Sequence, residues 1–322
     1  MEKALFHSVD GHAMLCFPSG SHHRRPCPVP RASMVTATPT SRSAAQSPSY
    51  WDAINLHIAT HLEKSIPPRA VPSVSEPLRQ LAIAAPRSSA PALCVAACEL
   101  VGGTQDQAID AAVALHLMHA AAFVHDHLPR TDRPDSRQVP RPTAHLGFGP
   151  NVELLTGDGM MPLALELLAR SDDHATETSS GRVLRVMVEI TRAVGSQGAV
   201  AGQYYGEILG RVWSSSSADG RLDLAFLAYH ACGKREGALH ACAGACGAII
   251  GGGCEEEIER LRAYGYSVGM ILGISNYGGS GKGQEVAEFE EVMEEMRRMA
   301  IINLKGFNES KAEEISSILR SS

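Results

Sequence analysis

The chain has 322 residues, 44% of them hydrophobic and 20% charged, with a formal net charge of −6 and an isoelectric point near 6.2. That balance suits a globular core and excludes the basic footprint that nucleic acid or an anionic membrane surface requires. The longest apolar stretches are broken by His, Asp or Gly before they reach 18 residues, so no transmembrane segment is expected.

Residues 11–51 contain no Asp or Glu, yet hold Arg24, Arg25, Arg31 and Arg42 among many Ser, Thr, Pro and Ala. An Arg-rich, Ser-rich, acid-free leader without a long apolar core has the composition of an organelle transit peptide. The expectation is plastid targeting by residues 1–45, with the mitochondrion as second choice, followed by one domain over 46–322. Eight cysteines are present. Four of them form two pairs at spacing four, Cys94/Cys98 and Cys242/Cys246, which is neither the dense pattern of a small secreted domain nor a zinc motif. A reducing compartment follows.

From Tyr50 onward helical signals recur. Trp51, Ile54 and Ile58 mark one helix face. Pro77 reads as the first-turn proline of a helix opening at Glu76, and Pro86 stops it. Helices are then expected from Pro91 to Leu100, Gln105 to Leu128, Asn151 to Arg170, Gly181 to Ala193, Ala199 to Trp213, Leu222 to Cys232 and Glu236 to Ile250. Glu255-Glu256-Glu257 open the next, where the helix dipole favours acids. Two more cover Glu285–Ile302 and Glu309–Arg320. With no convincing alternating strand, the fold class is all-α.

Several segments carry a resemblance: Cys94–Gly103, His119–Pro129, Leu154–Asp158, Gly202-Gln203, and Gly247–Gly253 with Glu255–Leu261. Together they resemble the trans-isoprenyl diphosphate synthases, above all the plant geranylgeranyl diphosphate synthases. The resemblance implies the isoprenoid synthase fold, a bundle of antiparallel helices around a central cavity. It also implies two Asp-rich motifs that hold magnesium against a diphosphate leaving group, with basic residues for the second diphosphate.

The residues depart from that machinery at three places. The first Asp-rich motif retains Asp126 and Asp132, but His127 replaces the second aspartate of the pair, and a neutral imidazole is a poor magnesium ligand. Arg130 would neutralise Asp126 if the helix ran that far. The second motif has become Gly273-Ile274-Ser275-Asn276-Tyr277-Gly278-Gly279-Ser280, without a carboxylate. In the basic isopentenyl diphosphate segment only Arg87 survives. Gln203 and Lys234-Arg235 are the preserved candidates for residual diphosphate contact. Loss of charge neutralisation lowers the rate of diphosphate departure by orders of magnitude.

The pattern resembles the non-catalytic small subunits of plant geranyl and geranylgeranyl diphosphate synthases. That resemblance implies a regulatory chain that binds a plastid geranylgeranyl diphosphate synthase large subunit and alters its activity or product length. It further implies that Cys94, Cys98, Cys242 and Cys246 mark or support the interface, and that magnesium belongs to the catalytic partner, with no cofactor held here. The alternative is a divergent, weakly active prenyltransferase or a prenyl diphosphate-binding protein. His116, His119, His125 and His127 read as structural histidines. The Gly-rich run around Lys282 lacks phosphate-loop spacing and reads as a loop.

Overall fold

The computed structural model describes residues 49–66, 71–128, 142–171, 177–214, 224–278 and 284–320. The proposed leader, Asp132 and Lys282 lie outside them. Every regular element among the described residues is helical. α1 (Tyr50–Ser65) is capped by Ser49, whose hydroxyl accepts from the Asp52 amide, and it buries Ile54, Ile58 and Leu62 on one face. α2 (Pro72–Ala84) starts four residues before the expected point, so Pro77 sits inside the helix and is buried there. Pro72 takes the first-turn position in its stead.

α3 (Ala90–Leu100) and α4 (Gln105–Asp126) follow, the latter opened by a reciprocal Thr104/Gln107 capping box. By length and composition α4 could span a membrane, but 67% of its apolar stretch is buried inside the bundle. It is a core helix. α5 (Pro150–Arg170), α6 (Glu177–Val194) and α7 (Ala199–Ser214) wrap its end.

α8 (Leu224–Cys232) runs through a π-helical turn at Gly233–Gly237 into α9 (Ala238–Gly251) without leaving helical backbone angles. The break that the sequence predicts between Cys232 and Glu236 is thus continuous helix. Gly252, at φ 84°, ends α9 in the left-handed conformation. α10 (Glu255–Gly278), α11 (Gln284–Leu304) and α12 (Glu309–Ser316) complete the bundle. Glu255 is more than a dipole partner, since it takes a two-pronged contact from Arg185 on α6 at 2.5 and 2.7 Å.

The centre is the α3/α9 pair, buried on nearly all sides. Small residues let the two backbones approach closely, and Gly247 marks the tightest point: a Cβ there would lie 2.1 Å from the Cys94 carbonyl oxygen. Cys94, Cys98, Cys242 and Cys246 all lie in this seam, with 3.6 Å between the Cys242 and Cys246 sulfurs. Burial holds the Cys94 thiol well above its usual pKa and pushes Cys98 up to about 11. These groups stay protonated and act as small packing residues.

Two histidines sit within the same bundle, His240 buried and His116 partly so. His240 donates from Nδ1 to the Glu236 carbonyl (2.8 Å) and accepts at Nε2 from Ser89 Oγ (2.9 Å), the pattern of a neutral ring. His116 donates to the Ala82 carbonyl at 3.0 Å. Burial lowers the pKa of both. Below the ordinary histidine value of about 6.5 the unfolded chain therefore takes up protons that the folded chain refuses, and stability is lost as pH falls. The thermal midpoint is expected to drop between about pH 7.5 and about 5.5, and His240→Gln should flatten that fall. Equal slopes in wild type and variant would refute this.

Candidate functional site

One cavity lies between α4, α5, α6, α7, the π-helical turn and the start of α9, with a volume of about 130 Å³. Met118, Phe123, Met161 and Leu239 supply apolar wall, and Asp126, Gln203 and Arg235 supply the polar part. α4 ends at Asp126. His127 caps it by donating Nδ1–H to the Phe123 carbonyl at 2.7 Å and stacking near the Phe123 ring.

Arg130 therefore cannot pair with Asp126 along a continuing helix, and it lies outside the described residues together with Asp132. Among the described residues the cation that does pair is Arg235. Its Nη2 donates to one carboxylate oxygen of Asp126, while the Gln203 side-chain amide donates to the other. The Asp126 side chain is 14% exposed and that of Arg235 37%. Arg235 and Asp126 are 109 residues apart, so no local spacing signals the contact.

The remaining candidates are placed differently. Lys234 turns away and donates from Nζ to the Gln197 carbonyl at 2.9 Å. Arg87 is exposed between α2 and α3 and does not line the cavity. His119 donates to the Pro86 carbonyl at 3.1 Å. His125 Nε2 lies 3.2 Å from Asp158 Oδ1 but out of line, so this buried nitrogen lacks a hydrogen-bond partner among the described residues. The ring packs on Gly157, where any Cβ would meet it at 2.5 Å.

Magnesium does not fit the described residues. Both oxygens of Asp126 are engaged by the chain's own donors. Near the end of α10, Ser275 and Asn276 are uncharged, and the Ser275 hydroxyl donates to the Ile271 carbonyl of its own helix at 2.8 Å. Among the described residues no group of three or more His, Cys, Asp and Glu is arranged to hold a metal ion.

Residues 71–275 match the family described as polyprenyl synthetase. The chain belongs to the polyprenyl synthetase family. It is 45% identical over 271 residues to the chloroplastic heterodimeric geranylgeranyl pyrophosphate synthase small subunit 2 of Cannabis sativa, covering 84% of this chain and 90% of that one. A solved structure of the geranyl diphosphate synthase small subunit from Antirrhinum majus superposes with a TM-score of 0.71 at 43% identity, covering 84% and 97% of the two chains. A mint heterotetrameric geranyl pyrophosphate synthase deletion mutant, solved with ligands, gives 0.68 at 39%, covering 84% and 98%. The all-α bundle expected from sequence is thus the family's fold. Its inner seam holds the four cysteines, whose side chains are buried within this chain.

Proposed function

We propose that this chain is a regulatory small subunit of a plastid geranylgeranyl diphosphate synthase, silent in prenyl transfer by itself. It pairs with a catalytic large subunit and modulates its activity or its choice between geranyl and geranylgeranyl diphosphate. The observation that carries this reading is the pairing of similarity to small subunits of heteromeric synthases with a carboxylate-free 273–280 segment. A chain that keeps the helical framework and lacks the charges for diphosphate ionisation retains a use for its surface. Magnesium would then belong to the partner. The chloroplastic relatives and the acid-free stretch 11–51 support import into plastids.

Association is proposed to use the outer face of α6. Leu184 (64% exposed), Val188 (39% exposed) and Thr191 follow one another at spacings of four and three, giving an uncharged stripe on an otherwise amphipathic helix. The occupant is the catalytic chain, because the relatives are named heterodimeric. The cysteine pairs support this surface from within by fixing α9, against which α6 packs.

The test is to assay the chain alone, the catalytic subunit alone and the two co-expressed, with isopentenyl and allylic diphosphates. The expected result is no turnover by this chain and a changed rate or product length in the mixture. Turnover by the chain alone would overturn the reading in favour of a divergent prenyltransferase.

A further inference from the structure

We propose that Arg235 is a resident counter-cation that holds Asp126 in place of a metal, and that the Asp126–Arg235–Gln203 contact pins the mouth of the cavity without any ligand. The idea rests on the non-catalytic reading of the chain, but its test does not depend on the partner.

A carboxylate at 14% exposure requires an opposite charge or several donors. Of the cations near this end of the bundle, Lys234 is committed to the Gln197 carbonyl and Arg87 is outside the cavity. Among the described residues Arg235 is the cation that meets the carboxylate, and the Gln203 amide completes it. The three residues come from separate elements, α4, α7 and the π-helical turn, so the contact ties together parts of the chain far apart in sequence.

A divalent ion entering here would set two positive charges beside the guanidinium and would have to displace both donors first. The arrangement therefore favours a closed, metal-free state. In this chain the cavity wall is ordered by an internal ion pair, where a magnesium-bound diphosphate would otherwise supply the cross-link. The folded state is then independent of metal and substrate supply.

The experiment uses the full chain, with thermal unfolding in the presence and absence of magnesium plus inorganic pyrophosphate, and manganese binding read by electron paramagnetic resonance. The wild type is expected to bind no manganese and to keep its midpoint within about 1 °C. Arg235→Leu and Asp126→Asn should each lower the midpoint by about 5 °C, and the double variant should fall no further than the worse single one. Arg235→Lys should recover part of the loss, keeping the charge without the fork.

A wild-type midpoint that rises with magnesium and pyrophosphate would overturn the proposal, since Arg235 would then yield to the metal. Strictly additive losses would overturn it as well. Should Arg235→Leu not fold, the wild-type titration and Arg235→Lys still decide. Failure to associate with a catalytic subunit would sink the proposed function and leave this contact untouched.

Discussion

Gly247→Ala is expected to destabilise the chain by about 3 kcal/mol or more, one of the largest effects available to a single methyl group here. The added Cβ would lie 2.1 Å from the Cys94 carbonyl oxygen and 2.9 Å from the Ala97 Cβ. Neither is the free end of a flexible side chain, so α3 and α9 must part or tilt. Because the seam between them is close-packed, separation there removes dispersion contacts along its length. Circular dichroism melts should show a midpoint lower by about 6 °C or more. Gly159→Ala is the control: its Cβ would meet nothing within 4 Å, and relief of glycine's backbone entropy should stabilise α5 by up to about 1 kcal/mol. Equal melts for the two variants would show that the α3/α9 seam is looser than its geometry.

Leu184→Asp with Val188→Asp is expected to weaken capture of the catalytic subunit by about 100-fold or more while leaving the melt of the free chain nearly unchanged. Both side chains are exposed in the chain alone, so nothing in its core answers to them. In an assembly each would lose its apolar burial and bring an unpaired carboxylate into the contact. Replacing Cys94, Cys98, Cys242 and Cys246 by Ser should act otherwise, lowering the melt and association together, because four hydroxyls enter a seam that offers few acceptors. Analytical ultracentrifugation of the mixtures separates the two behaviours. Undiminished complex with both α6 aspartates present would move the interface elsewhere.

The helices were legible because their signals are local. The Trp51/Ile54/Ile58 spacing, the Pro86 stop and the Glu255-Glu256-Glu257 start each depend on residues within a turn or two. Pro77 misled because a proline favours the first turn without requiring it, and Pro72 was equally available. The break read at Lys234-Arg235 fell on a π-helical turn, whose extra residue carries no compositional mark.

The candidate site was legible only in part. Missing carboxylates at 273–280 are visible in the letters, and so is His127 beside Asp126. The partner of Asp126 is not, because Arg235 reaches it through the packing of α4, α7 and the π-helical turn. Sequence proximity favoured Arg130 along a continuing helix, but α4 ends at Asp126 and Arg130 lies outside the described residues. Likewise Lys234 and Arg235 are adjacent letters with opposite fates, one bonded to a loop carbonyl and the other to the cavity aspartate.

The π-helical turn also sets how this stretch tolerates change in length. It stores one residue more than an α-helical path between α8 and α9 needs. A codon lost within Gly233–Gly237 would thus close the wide turn to an ordinary α-helical one and leave α8 and α9 in their present phase. A codon lost inside α9 has no such slack: everything after it would rotate by about 100°, and the small side of α9 that meets α3 would swing out of register. What the wide turn itself holds in place is Arg235, set where it reaches Asp126.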